Sequence, residues 1–371
     1  MKIIFILPAL TISGGHKAVF EFANHLHKRG HDVSVIYPLM PIQLDAKWYN
    51  VRKQASRVWR AIRRFRQVPH VEWFNLKANL IRVPALIEKY IPDADIIIAT
   101  WWETAYFVSR YSNSKGKKFY LVQHYEIWGG QEEQVNNSYK LGLRIIVNST
   151  WLKNILQDKL GVEAEALILH SPDLEQFYPE DRQKSNDAIR ILMPYRNIKW
   201  KGINDGIKAF EIVREKYPDI QLVMFGPNRG KDVPDYVEFY EKPSNYKLRT
   251  IYNSCDIFLF PSHSEGFGMP PMEAMACKCA VVTTNVGAVP DYTIPGKTAL
   301  ASPPKSPESL AENIIKLVEN SELRKQISEA GYNHINKNFS WNKSADSLEQ
   351  LFQKALAEQS KTDNQGEEAE R

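Results

Sequence analysis

Short runs of β-branched apolar residues alternate along the chain with longer stretches in which apolar residues recur every three or four positions. The short runs predict buried parallel strands, because a strand covered on both faces carries near-continuous apolar residues. In the first half they are Lys2–Pro8, Asp32–Tyr37, Asp95–Ala99, Lys118–Val122, Arg144–Val147 and Ala166–Leu169. Between the first two lie Ser13-Gly14-Gly15 and an amphipathic stretch from His16 to Arg29, closed by Gly30. Thr150–Leu160 also reads as a helix. A strand, glycine turn, helix and strand in that order open a doubly wound α/β domain. Gln176 to Asp187 is polar, mixed in charge and contains Pro179, so the domain boundary is placed there. The pattern then restarts. Strands are predicted at Ala188–Met193, Ile220–Phe225 (ending at Gly226), Asp256–Phe260 and Ala280–Thr283. Helices are predicted at Gly202–Tyr217, Tyr246–Asn253, Pro271–Ala276, Pro307–Asn320, Ser321–Asn336 and Trp341–Ala357. The expectation is two doubly wound, Rossmann-like α/β domains, 1–178 and 179–340, a helix over 341–357, and a disordered tail over 358–371, which holds no large apolar residue. Ligands of such sheets bind outside the carboxyl ends of the strands, so both domains should aim those ends into a shared cleft.

Composition narrows the class. With 371 residues, 43% hydrophobic and 25% charged, the chain can bury substantial cores, which excludes wholesale disorder, a coiled coil and a collagen-like fibre. No stretch approaches the roughly 18 apolar residues of a membrane-spanning helix. The opening MKIIFILPALTISGG has an apolar run too short for a secretory signal. Cys255, Cys277 and Cys279 are odd in number and clustered, which fits reduced thiols in a cytoplasmic protein. No zinc site is expected from them. The net charge of +5 hides an asymmetry: residues 1–150 hold 21 Lys and Arg against 11 Asp and Glu. The densest basic block runs from Arg52 to Arg66, where Val51, Ala55, Val58, Ile62 and Phe65 share one helical face. Such a helix suits an anionic membrane surface, peripherally on the inner face, or packs its stripe on its own domain. No nucleic-acid recognition motif accompanies the charge, so nucleic acid is not expected as a partner.

Three motifs carry candidate chemistry. Gly14 and Gly15 follow a strand and open a helix, where backbone can approach a ligand closely and the helix N-terminus favours an anion. Their spacing is neither that of a dinucleotide fingerprint nor that of an ATPase loop. Arg196 and Lys201, in MPYRNIKWKG, put two cations at a strand-to-helix turn, suited to a diphosphate whose charge grows as it leaves. The most specific stretch is PSHSEGFGMPPMEAMAC. It sets Glu265 before Gly266-Phe267-Gly268 and Glu273 inside the following helix, with seven residues between the two glutamates. The glycines expose N–H groups, and a carboxylate accepts hydrogen bonds from the vicinal hydroxyls of a sugar or ribose. Glu273 buried there requires a ligand or a basic neighbour.

On these residues the chain resembles the family 4 glycosyltransferases, retaining enzymes of the GT-B fold, from residue 1 to about 357. The resemblance rests on Gly14-Gly15, the Arg196/Lys201 pair with Gly202, the run CDIFLFPSHSEGFGMPPMEAMAC and the ending FSWNKSADSLEQLF. It implies transfer of a hexose-type sugar from a nucleotide-diphosphate sugar to the hydroxyl of a saccharide or lipid-linked acceptor, in cell-surface polysaccharide or glycolipid assembly. It implies no cofactor and no required metal. Arg196 and Lys201 would contact the donor diphosphate. Glu265 and the amides of Phe267, Gly268 and Met269 would hold the donor sugar, and Glu273 the ribose. Gly14, Gly15, Gly226 and Gly266 would complete the donor surface. His124, in YLVQHYEIWGG, stands where relatives carry a His close to the transferred sugar. His124, Arg196, Lys201 and Glu265 are thus the expected catalytic residues, with Glu126 and Trp128 on the acceptor side, and the last helix would cross back onto the N-terminal domain. The chain departs from the family pattern at GGHKAV, at HSPDLEQFYP and at Asp291, where Glu is common. Two other readings remain: a sugar-nucleotide epimerase of the same fold, whose product forms without an acceptor, and a catalytically silent membrane-associated binding module.

Overall fold

The computed structural model describes residues 1–40, 69–180 and 188–369, without the side chains of 359–369. The basic stripe of residues 52–66 lies outside the described residues. The chain divides into two units, Met1–Leu169 with Trp341–Arg371, and His170–Ser340.

The first unit is built on a seven-stranded sheet: β1 (Lys2–Ile6), β2 (Asp32–Pro38), β3 (Asn79–Val83), β4 (Ile96–Ala99), β5 (Lys117–Val122), β6 (Arg144–Val147) and β7 (Ala166–Leu167), in the order β3-β2-β1-β4-β5-β6-β7. All pairs are parallel; Ile3 of β1 lies beside Val33 of β2 and Ile96 of β4. The central strands β1 and β4 are buried at every residue but Lys2, as their apolar runs require. The second unit has a six-stranded parallel sheet: β8 (Arg190–Pro194), β9 (Gln221–Gly226), β10 (Glu238–Glu241), β11 (Ile257–Phe260), β12 (Ala280–Thr284) and β13 (Leu300–Ser302), in the order β10-β9-β8-β11-β12-β13. Each order reverses direction once, between β1 and β4 and between β8 and β11. Those are the topological switch points, where the loops leaving adjacent strands part and a ligand can enter.

The strands that the apolar pattern does not reveal, β3, β10 and β13, are all edge strands. An edge strand is covered less, so β3 and β10 are mostly half-exposed and mixed in sequence. The boundary also lies earlier than 178/179. After β7 the chain packs into the second unit: His170 stacks near Phe267 with centroids 4.8 Å apart, Phe177 meets Tyr252 edge-on at 5.5 Å, and the Glu180 amide donates to Asn253 Oδ1 at 2.9 Å. Polarity of the segment marks surface, but these contacts decide ownership.

The last helix, Trp341–Ala369, belongs to the first unit. Its buried residues Trp341, Ala345, Leu348, Phe352 and Ala355 repeat at spacings of four and three, one helical face. Trp341 packs edge-on against Phe22 at 5.1 Å and Phe352 against Phe119 at 4.9 Å. Arg29 pairs with Asp346 at 2.6 Å and Glu349 at 2.9 Å. The helix does not stop at 357: it continues through Ala369, where a disordered tail is expected from composition. Lack of apolar residues forbids burial but not helix, and Lys, Gln and Glu are good helix formers. Arg144 also reaches Glu358 at 2.9 Å, anchoring the start of that segment.

Candidate active site

Because every sheet pair is parallel, the carboxyl ends of all strands in a unit share one edge, and the sequence-predicted residues gather there. In the second unit, β8 ends at Pro194 and Arg196 follows, exposed. The chain then makes a tight turn over Lys199–Lys201 and enters the helix Ile203–Lys216 through Gly202, which is left-handed at φ 63°. A Cβ on Gly202 would sit 2.0 Å from the Pro261 carbonyl oxygen, so only glycine lets this turn press against the loop after β11. The His263 amide donates to the Trp200 carbonyl at 2.7 Å, and the His263 ring meets Asp205 at 2.6 Å. Two loops, leaving the two strands that flank the switch point, are thereby pinned together.

The result is an ion pair across that point. Lys201 Nζ lies 2.6 Å from Glu265 Oε1, which also accepts from the Ser262 hydroxyl at 2.7 Å. Glu265 is buried, 6% exposed, while the Lys201 side chain keeps 26% of its surface. The sequence reading treats Arg196 and Lys201 as one cationic couple; the structure adds a carboxylate partner to one of them. Lys201 is already paired with a carboxylate, and Arg196 stands exposed on its own stretch. The pairing does not exhaust Lys201, whose ammonium has three donors. Nor does it exhaust Glu265, whose Oε2 takes no hydrogen bond among the described residues.

Beyond Glu265 the backbone is held from behind. Gly287, at φ 56°, lets a neighbouring loop lie against the Glu265 carbonyl, and the Ala288 amide donates to Gly266 O at 3.2 Å. Tyr292 donates to the Gly268 carbonyl at 2.7 Å, and Gly268 itself is left-handed at φ 78°. The amides of Phe267, Gly268 and Met269 donate to no acceptor among the described residues. The helix Pro270–Ala276 follows and carries Glu273, 8% exposed. A ligand or a cation is expected beside it; the Tyr252 hydroxyl donates to Glu273 Oε2 at 3.0 Å. Burial, then the neighbouring Glu273, push the Tyr252 pKa well up, so the phenol remains a donor. Gly226 ends β9, where a Cβ would meet the Tyr195 carbonyl at 2.5 Å; its glycine is required by backbone packing. Ser262, Asp205, His263 and Tyr252 escape a reading of the sequence, since a hydroxyl or imidazole gains its role from a partner distant along the chain.

In the first unit, Gly14 and Gly15 begin the helix Gly14–Lys28 directly after the β1 loop. Ser13 caps it by accepting from the His16 amide at 3.2 Å, and the His16 ring bonds the Ala9 carbonyl at 2.7 Å. Burial lowers the His16 pKa, so the ring is neutral and braces the loop. His124 follows β5, and its Nδ1 lies 3.0 Å from the Tyr125 carbonyl. Glu126, expected on the acceptor side, is buried instead at 2% exposure; its Oε2 accepts from the Trp102 amide at 2.7 Å and the Tyr120 hydroxyl at 3.1 Å. Among the described residues no group of three or more His, Cys, Asp or Glu is placed to hold a metal, and no helix is long and apolar enough to cross a membrane.

The family models agree with this division. The model for glycosyl transferases group 1 matches residues 175–334, and that for glycosyltransferase family 4 matches residues 12–170. The chain belongs to glycosyltransferase family 4. Curated relatives of this family member include the capsular polysaccharide biosynthesis glycosyltransferase CapM of Staphylococcus aureus, 29% identical over 53% of this chain and 54% of CapM. A D-inositol 3-phosphate glycosyltransferase of Paenarthrobacter aurescens is 27% identical over 58% of each chain. The chain thus spans little more than half the length of these two relatives. An uncharacterized glycosyltransferase of Methanocaldococcus jannaschii, 24% identical, is matched over 93% of this chain and 96% of its own. Among solved structures, Anabaena HepE in complex with UDP has a TM-score of 0.74 at 14% identity, covering 95% of this chain and all of HepE. Sucrose-phosphate synthase of Thermosynechococcus elongatus has a TM-score of 0.71 at 17% identity, covering 96% of this chain and 99% of the synthase. These likenesses establish the fold, two Rossmann-like parallel-sheet units of the GT-B class.

Proposed function

We propose that the protein transfers a hexose-type sugar, with retention at the anomeric carbon, from a nucleotide-diphosphate sugar to an acceptor hydroxyl in polysaccharide or glycolipid assembly. The observation that carries the reading is the Lys201–Glu265 pair at the β8/β11 switch point, beside three amides that donate to no acceptor among the described residues. Arg196 and the remaining donors of Lys201 would receive the diphosphate and balance the charge that grows on it as the glycosidic bond breaks. Glu265 Oε2 and the Phe267–Met269 amides would take the sugar hydroxyls, and Glu273 the ribose diol. With no second carboxylate assigned as nucleophile, the departing phosphate oxygen would accept the proton of the incoming hydroxyl on the face it leaves, which accounts for retention. CapM, a capsular polysaccharide enzyme by name, supports the assembly context. HepE, whose structure contains UDP and glucose, is consistent with this class of donor. The basic stripe of residues 52–66 would hold the protein at an anionic bilayer surface.

A thermal-shift screen of UDP-, GDP-, ADP- and dTDP-glucose tests the donor. A ligand at a hundred times its Kd adds about 2.7 kcal/mol of stability, and one of the four should stand out. Lys201→Met should abolish that shift and lower kcat/KM by about thirtyfold or more, roughly 2 kcal/mol of lost transition-state stabilisation. Four flat traces, or a Lys201→Met variant with the shift and turnover of the parent, would overturn the reading.

A further inference from the structure

Aromatic rings collect at the carboxyl edge of the first sheet. Trp101 follows β4, His124 and Trp128 follow β5, and Trp151 opens the helix after β6; these three strands are adjacent. The Trp101 and Trp128 rings lie 5.1 Å apart at 58°. His124 meets Trp128 edge-on at 6.2 Å and Trp151 edge-on at 5.8 Å. Trp128 is nevertheless 55% exposed, among the most exposed large apolar side chains described. An indole packed by two rings and still open to solvent is a preorganised surface, since little side-chain freedom remains to be lost when something covers it.

The loop bearing Trp128 is fixed from beneath. A Cβ on Gly129 would sit 2.4 Å from Trp101 Cζ2, and one on Gly130 the same distance from Trp102 Cζ2, so both glycines let the backbone lie flat on the indoles. Glu126, two residues earlier, is anchored on the Trp102 amide and the Tyr120 hydroxyl. This surface is therefore built as a unit from three loops.

Its chemistry selects an occupant. The electron-rich face of an indole attracts weakly positive C–H groups, and the axial C–H bonds on one face of a pyranose ring present such a patch, ringed by hydroxyls. Gln131, Glu132 and Glu133 follow directly and are exposed. The carboxylates of Glu132 and Glu133 accept hydroxyl donors and repel a phosphate, while the Gln131 amide can accept from or donate to a hydroxyl. An acyl chain would find polar ring tips and charges where it needs continuous aliphatic wall. We propose that Trp128, backed by Trp101, His124 and Trp151, is a stacking shelf for the pyranose ring of a neutral saccharide, which makes the acceptor a sugar chain in place of a phosphorylated polyol or a bare lipid phosphate. The assignment as acceptor rests on the transferase reading above; the stacking itself does not.

Saturation-transfer NMR on the full chain separates the two. The probes are the methyl glycosides of glucose, galactose, mannose and N-acetylglucosamine, with myo-inositol 3-phosphate and dodecyl phosphate as the competing chemistries. At least one glycoside should show saturation concentrated on its ring C–H protons. Trp128→Ala should cut it at least tenfold, while Trp128→Phe, which keeps a ring, should retain most of it. Both variants should keep the parent's thermal shift with the nucleotide sugar, which shows that they are folded. Absence of saturation for all four glycosides, saturation that survives Trp128→Ala, or saturation confined to dodecyl phosphate or the inositol phosphate would overturn the shelf. Glycoside binding lost in Trp128→Ala, in a parent that no nucleotide sugar stabilises, would uphold the shelf and refute the transferase reading alone.

Discussion

Glu126 offers a perturbation whose size can be worked out in advance. Its carboxyl is 2% exposed and accepts from the Trp102 amide and the Tyr120 hydroxyl. Burial, partly offset by those two donors and reinforced by Glu103, pushes its pKa from 4.5 up to about 8. At neutral pH the folded protein therefore holds it protonated, whereas the unfolded chain releases that proton above about pH 4.5. Across the interval the folded state binds the extra proton, so this group makes stability fall as pH rises, by about 1.4 kcal/mol per pH unit. The interval is about 3.5 units wide, a total of roughly 4–5 kcal/mol. Glu126→Gln cannot ionise and keeps an oxygen for both donors. Relative to its parent it should gain nothing below pH 4.5, gain steadily to pH 8 and level off beyond. Urea unfolding followed by tryptophan fluorescence reads this out for the correct unit, because eight of the nine tryptophans lie in the first one and Trp200 alone in the second. Other groups titrate over the same range, but they cancel in the difference between variant and parent. A difference in unfolding free energy that stays constant from pH 5 to pH 8 would show that Glu126 is ionised in the fold, and the reasoning fails.

Three further outcomes test the second unit. Gly202→Ala puts a methyl 2.0 Å from the Pro261 carbonyl on a left-handed backbone, so it should cost more than about 2 kcal/mol of stability and displace Lys201; a parental melting temperature would count against the tight turn. Tyr252→Phe leaves Glu273 without its phenol donor in a buried place, so about 1–3 kcal/mol of stability should be lost and nucleotide affinity should fall; calorimetry showing neither would remove Glu273 from the ribose site. Asp205→Ala frees the His263 ring and loosens the clamp between the two loops, so the donor KM should rise severalfold with kcat less affected; an unchanged KM would make that pair ornamental.

Periodicity alone was enough for the architecture, because a parallel sheet buried on both faces leaves apolar runs that nothing else in a chain of this composition produces. The strands flanking the two switch points, β1, β4, β8 and β11, are all legible in that way. So are the residue types of the donor motif: Glu265, the Gly266-Phe267-Gly268 turn and Glu273 stand out because packing gives no reason for that combination. The edge strands β3 and β10 were not legible, since half-covered backbone imposes no apolar pattern, and β13, three residues long, is too short to show one. The ownership of residues 170–178 and the helical course past 357 depend on contacts and propensities that polarity does not report. Only the tertiary structure set Lys201 on Glu265, brought the Tyr252 hydroxyl to Glu273, buried Glu126 and left Trp128 half exposed beside Trp101. Sequence spacing orders neighbours along an element. An ion pair between residues 201 and 265, or a shelf drawn from three loops, comes into being when the parallel sheet brings separate strand ends to one edge.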